Sequence, residues 1–170
     1  IVDFDLAFGT LGLDFNDEPG QGIIEALSAP ERLDDVLLDR LLMKRGDHLS
    51  LFTAPAALER ECDAGPDAYE SVLEAVRGTT PCVIVDLPHV WAPWVKATLI
   101  GADEIVLVAT PDLASLRNTK SMIELLRHNR PNDAAPRLVL NQVGQPKRPE
   151  IPAKDFAETL GIPREKLNIN

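Results

Sequence analysis

Apolar positions fall along this 170-residue chain in two rhythms. Three short runs are continuous and rich in β-branched residues: CVIVD (Cys82 to Asp86), IVLVA (Ile105 to Ala109) and RLVLN (Arg137 to Asn141). Runs of this kind predict strands buried on both faces of a parallel sheet, since a half-exposed strand alternates. Between them the spacing turns helical. One crossover starts at Pro93 and runs through WVKATLI to Gly101; a second runs from Asp112 to about His128, with Leu113, Leu116, Ile123 and Leu126 on one face. Upstream, DAYESVLEAVRG sets Ala68, Val72, Ala75 and Val76 at helical spacing, and GIIEAL and LDDVLLDRLL also predict helices. LSLFTA (Leu49 to Ala54) predicts a strand, and a last helix over about Ala153 to Leu160 stops at GIP.

Strands alternating with helices predict an α/β fold: a mostly parallel, doubly wound sheet with helices on both faces and right-handed crossovers. No internal repeat or linker divides the pattern, so residues 1–170 read as one domain. The opening IVDFD then reads as an interior strand of that sheet. A complete βαβ unit needs about 30 residues, so the expectation is that the first βα unit of the fold is missing. The closing PREKLNIN reads as the lead into a strand barely begun, so the domain is expected to be cut at that end also.

Composition narrows the partners. The formal charge of −10 works against binding nucleic-acid phosphates or anionic membranes. The basic cluster QPKRPE (Gln145 to Glu150) reads as a solvated loop. Two cysteines form neither a disulfide framework nor a metal set; Cys82 reads as a buried thiol and Cys62 as exposed. Free thiols fit a reducing cytosol. No apolar stretch reaches the ~18 residues of a membrane span.

Ligands of doubly wound sheets bind outside the carboxyl ends of the strands. Here those ends are Asp5, Asp86, Thr110-Pro111 and Asn141, aligned on one edge if the sheet is parallel. Two are carboxylates, which suit a hydrated Mg²⁺ held through one or two acids plus substrate phosphates. An acid ending an apolar strand is also the Walker-B arrangement of P-loop nucleotide hydrolases. No G-x-x-x-x-G-K-[ST] cradle occurs in the chain, and Gly9 and Gly12 read as turn glycines. His89 is the one histidine beside the predicted site, while His48 and His128 read as surface residues. HVWAPW, with both tryptophans, reads as a crossover helix covering the sheet rather than a docking patch.

The ordered segments IVDFDLAFGTLGLDF, CVIVDLP, ADEIVLVATPDLASLRNTKSMIELL, RLVLNQV and LGIP resemble the deviant-Walker ATPases of the MinD/ParA group. Within it they are most similar to the pilus-assembly proteins of the tight-adherence system, the CpaE/TadZ type; ATPDLASLRN joined to LVLNQV is the most specific part. The resemblance implies ATP and Mg²⁺ as ligands of the full-length protein. It implies that Asp5 orients the attacking water, Asp3 supports the magnesium shell, and Asp86 holds Mg²⁺ through water. Pro88 then matches the proline of the second switch and Asn141 the asparagine that reads the adenine edge. It implies a cytoplasmic homodimer acting on pilus or secretion machinery at the cell pole or inner-membrane face. The −10 charge and the lack of Pro-Gln after the acidic pair argue against nucleic-acid binding, and no amphipathic C-terminal helix for direct membrane insertion is seen in the chain. Leu87 and His89 depart from the pattern around Pro88, and the phosphate loop lies outside the chain, so the fragment is expected to be inactive. The leading function is an ATP-dependent dimeric switch that localises or assembles a type IV-like (Flp/Tad) pilus or secretion apparatus. The alternative is a scaffold that keeps the fold without hydrolysis. An iron–sulfur or ligase-like relative ranks lower, because Cys82 at a strand start is poorly placed for a cluster.

Overall fold

The computed structural model describes residues 1–16, 20–55, 62 and 64–170. The chain divides into two compact units, Ile1–Thr98 and Leu99–Asn170.

The first unit is organised around β1 (Val2–Asp3), which pairs in parallel with β4 (Val85–Asp86) in the register Val2↔Val85 and Asp3↔Asp86. On its other side Val2 bridges Phe52 in parallel. Phe52 follows β3 (Ser50–Leu51), which forms an antiparallel hairpin with β2 (Met43–Lys44) that the sequence pattern did not predict. Helices α1 (Leu11–Asp14), α2 (Gly22–Ser28), α3 (Asp35–Leu41) and α4 (Pro66–Thr79) complete the unit. Asp34 caps α3, its carboxylate accepting the Leu37 N–H at 2.7 Å, and Pro66 opens α4 where its missing N–H costs nothing. Tyr69, Val72, Leu73 and Val76 form the buried stripe of α4 at helical spacing. They meet Val2, Phe4, Ile23, Leu27, Leu38 and Phe52 in one core. Phe4 stands edge-on to Tyr69 and to Trp94, with centroids 5.1 and 5.8 Å apart, and Tyr69 stacks on Trp94 at 3.9 Å. Trp94 belongs to α5 (Pro93–Gly101). The HVWAPW segment is therefore split: Trp94 is half-buried against the core, whereas Trp91 is exposed.

The second unit is a parallel sheet in the order β5 (Val106–Ala109), β6 (Arg137–Leu140), β7 (Leu167–Ile169). Its helices are α6 (Leu113–Asn129) and α7 (Ala153–Leu160), both where the periodicity predicts them. Side chains two apart share a face, so Leu107 and Ala109 lie beside Leu138 and Leu140 and pack with Ile123, Phe156 and Leu160. Gly161 ends α7 in the left-handed conformation at φ 62°, its N–H reaching the Glu158 carbonyl at 3.2 Å.

Several expectations are corrected. The apolar strands are not buried on both faces: Val106 and Val108 are 54% and 66% exposed, and Ile84 before β4 is 59% exposed. The helical core of the second unit packs on the opposite face, through Leu107 and Ala109. Leu113 is exposed, because at the first position of α6 it lies ahead of the stripe formed by Thr119, Ile123 and Leu126. The thiols exchange roles: Cys82 is exposed ahead of β4, and Cys62 is half-buried against the core of the first unit.

Asp112 caps α6, one oxygen accepting the Ser115 N–H at 2.8 Å and the other the Thr110 hydroxyl at 2.5 Å. These bonds, the backbone one first, hold its carboxyl below the usual aspartate range. Asp112→Ala is expected to cost about 1 kcal/mol of stability at neutral pH. A depressed folded pKa gives stability that is present above the unfolded value and lost as pH falls through the folded one. Denaturant titrations of the two chains should therefore converge only in acid, below the ordinary aspartate pKa of 3.8.

Candidate functional site

The parallel pairing of β1 with β4 brings Asp3 and Asp86 into register, so the loops after both strands leave the same edge of the first unit. Phe4 N–H donates to the Asp86 carbonyl at 3.0 Å and Asp3 N–H to the Phe52 carbonyl at 3.0 Å, which fixes the acidic strand end from both sides.

The carboxylates differ in what they face. Asp3 is fully buried. Its Oδ1 accepts the Asp5 N–H at 3.0 Å and its Oδ2 the Leu11 N–H at 3.4 Å, so both oxygens bind the loop that follows. Burial raises its pKa; the two backbone donors oppose that shift, and the Asp86 and Asp5 charges add to it. Asp5 is half-buried, with Oδ1 accepting the Phe8 N–H at 3.0 Å. Asp86 is exposed as a residue, yet loss of water around its carboxyl raises its pKa, followed by repulsion from Asp5 and Asp14. The negative charges of Asp5 and Asp14 at Asp86 form a field that a cation relieves. Pro88, half-buried, sits two residues past Asp86 and accepts the Val90 N–H at 2.7 Å through its carbonyl.

Asp3 is thus held as an internal fastening of the Asp5–Leu11 loop, and Asp5 and Asp86 are the acids that reach water. Mg²⁺ keeps several of its waters and needs one or two carboxylates, a demand that Asp5 and Asp86 fit. Among the described residues no three His, Cys, Asp or Glu side chains converge to hold a metal directly.

Two residues near this edge escape a one-dimensional reading. Asp14, bonded to the Thr10 hydroxyl at 3.1 Å, contributes to the field at Asp86 from nine residues beyond Asp5. Gly9 lies against the buried acid: a Cβ there would sit 2.7 Å from the Asp3 Cγ and 2.6 Å from the Asp5 carbonyl oxygen. Its requirement is space rather than an unusual φ, so nothing in its sequence context announces it.

In the second unit Asn141 follows β6, its N–H donating to the Ala109 carbonyl at 2.8 Å. Its Oδ1 accepts the Gln142 N–H at 2.9 Å and the Asn170 side-chain amide at 3.1 Å. The basic segment after it is more ordered than a solvated loop: Arg148 is half-buried and donates to the Gln142 carbonyl at 2.7 Å. A cavity of about 510 Å³ lies at the other ends of these strands, lined by Asp103, Arg127, Arg130, Asp133 and Lys166. Arg130 is already paired there with Asp133 and bonded to the Leu99 carbonyl, so its charges are spent internally.

No family model matches the chain. The septum site-determining protein MinD of Bacillus subtilis (strain 168) is 31% identical over 101 residues, 59% of this chain and 37% of that protein. MinD of Synechocystis sp. is 25% identical over 138 residues, 76% of this chain and 50% of that protein. The matches thus span half or less of those relatives' length. Among solved structures, a ParA family ATPase from Chlorobium tepidum aligns with a TM-score of 0.73 at 22% identity, over 99% of this chain and 67% of its own. The Pyrococcus furiosus cell division ATPase MinD aligns at 0.74 and 21%, over 95% and 66%. The MinD-containing MinC:MinD complex of Aquifex aeolicus aligns at 0.60 and 18%, over 99% and 65%. The structural likenesses show that the chain shares the α/β fold of those ATPase structures.

Packing at Gly9 gives a test. Gly9→Ala is expected to destabilise the chain by about 1–3 kcal/mol and to shift the Asp5 and Leu11 amide resonances. Gly78→Ala, where a Cβ meets nothing within 4 Å, should instead stabilise α4 by roughly 0.4–1 kcal/mol. Equal effects at the two positions would contradict the close approach at Asp3.

Proposed function

We propose that this chain is the acidic half of the nucleotide site of a MinD/ParA-type ATPase, one that works as an ATP-dependent dimeric switch. The observation that carries the reading is the placement of Asp86 at the carboxyl end of β4 and of Asp5 in the loop just past the end of the adjacent parallel β1, where its charge bears on Asp86. A fold shared with ParA and MinD structures supports it, as does the sequence likeness to two MinD proteins.

In this reading Asp86 holds Mg²⁺ through water, and Asp5, whose Oδ1 is tied to its own loop, orients the attacking water with its other oxygen. Mg²⁺ held there would supply positive charge against the nucleotide phosphates. Asp3 keeps Asp5 in place by binding its N–H, and Pro88 stiffens the loop after Asp86. Asn141 takes the base.

The biological setting we propose is the CpaE/TadZ branch. It rests on the resemblance of ATPDLASLRN and LVLNQV: a homodimer that positions or assembles Flp/Tad pilus or secretion machinery at the cytoplasmic face of the inner membrane or the cell pole. The MinD of the Aquifex aeolicus structure is complexed with another protein, MinC, which supports a role exercised through a protein partner. No helix among the described residues is long and apolar enough to cross a membrane. A non-hydrolysing scaffold is the second reading, favoured by Leu87 between Asp86 and Pro88, where many relatives carry Ser or Thr.

ATP turnover by the full-length protein decides between them. Asp5→Ala should lower kcat by about 10²-fold or more while the protein still becomes dimeric with ATP and Mg²⁺. Turnover indifferent to this substitution removes the role given to Asp5. Dimerisation that ignores nucleotide favours the scaffold.

A further inference from the structure

The loop from Asn141 to Glu150 holds three residues in the left-handed region within six positions: Gln142 at φ 59°, Gly144 at 79° and Lys147 at 63°. Two of them carry side chains, for which this conformation is unfavourable and persists only when the surroundings over-determine it. Here the over-determination is visible bond by bond. The Glu150 carboxylate accepts the Gly144 N–H at 3.0 Å on one oxygen and the Gln145 N–H at 3.1 Å on the other. It also pairs with Arg148 at 3.6 Å. Arg148 in turn grips one residue twice, donating to the Gln142 carbonyl at 2.7 Å and to the Gln142 Oε1 at 3.2 Å. Gln142, held in its left-handed conformation, points its N–H at the Asn141 Oδ1 at 2.9 Å. The Asn170 amide takes the same oxygen at 3.1 Å.

A carboxamide oxygen accepts two hydrogen bonds, so Asn141 has no acceptor left to offer. Its Nδ2 donates to no group among the described residues. We infer that Arg148 and Glu150 are positioning residues that lock Asn141 through Gln142, so that its side chain meets a nucleoside base as a hydrogen-bond donor only. Asn141 then recognises an acceptor atom on the base edge, such as a purine ring nitrogen, rather than reading a donor and an acceptor together. This deepens the proposed function and rests on it for the identity of the ligand. The lock itself is a property of the chain without ligand.

The two can be tested apart in the full-length protein. In ligand-free ¹⁵N-labelled protein, Arg148→Ala should shift both the Asn141 side-chain amide and the Gln142 backbone resonance, and Arg148→Lys should restore them only in part, because an ammonium is not a planar fork. Unmoved Asn141 resonances overturn the lock. For binding, the dissociation constant for ATP should rise about tenfold in Arg148→Ala and in Glu150→Gln. Asn141→Asp, the same shape without a donor, should weaken ATP at least as much. The double substitution Arg148→Ala with Asn141→Asp should add little to Asn141→Asp alone, because both remove one interaction. Fully additive losses overturn the positioning role. If the wild-type protein binds no ATP, the nucleotide reading fails, and the resonances still decide whether Asn141 is locked.

Discussion

Everything at the acidic edge depends on a carboxylate that does not face it. Asp3 is buried at the end of β1, between the Phe52 carbonyl on one side and β4 on the other. A buried charge is tolerated only where hydrogen bonds replace its water, and the Asp5 and Leu11 N–H groups do so here. The consequence runs outward. Because those donors come from the following loop, the loop must fold back over the strand end. Because it folds back so closely, position 9 has no room for a side chain. The same fold sets Asp5 half in water beside the exposed Asp86. An internal satisfaction problem thereby sets the position of the acids that could do chemistry.

The second unit solves a similar problem by other means. Its loop after β6 is held by charged side chains on backbone groups, with Glu150 on two N–H donors and Arg148 on a carbonyl. Charge-assisted bonds of this kind are about twice as strong as neutral ones. They offset the unfavourable backbone at Gln142 and Lys147. In both units a rigid strand end carries a polar group, and a short loop is folded to aim it. Such a division of labour lets a scaffold stay fixed while its loops carry function.

The amphipathic patterns were legible because they are local. Helix α6 and its Asp112 cap, α7 with Gly161 beyond it, and the Pro66 and Pro93 starts follow from spacing and capping rules that involve neighbours only. The strand ends were legible in part: Asp86 closes β4 and Asn141 follows β6, whereas β1 ends at Asp3, two residues before the Asp5 that closes the apolar run. Burial was less legible. Val106 and Val108 belong to a run that reads as core on both faces, but which face receives helices depends on what packs against it. The thiols went astray for the same reason, since Cys82 extends an apolar run yet precedes the part of it that pairs as β4.

The sequence by itself determined which residue types stand at or just after the strand ends, and hence which groups are available there: carboxylates and a carboxamide. It also determined the α/β alternation, because helix and strand periods are written in consecutive residues. Only the tertiary structure decided how each group is presented. It turned Asp3 inward and left Asp86 outward, gave Asp14 a share in the field at Asp86, and filled the lone pairs of the Asn141 oxygen. Those outcomes rest on contacts between segments as far apart as Phe4 and Asp86, or Asn141 and Asn170. Orientation and solvation are properties of such contacts, and no local pattern encodes them.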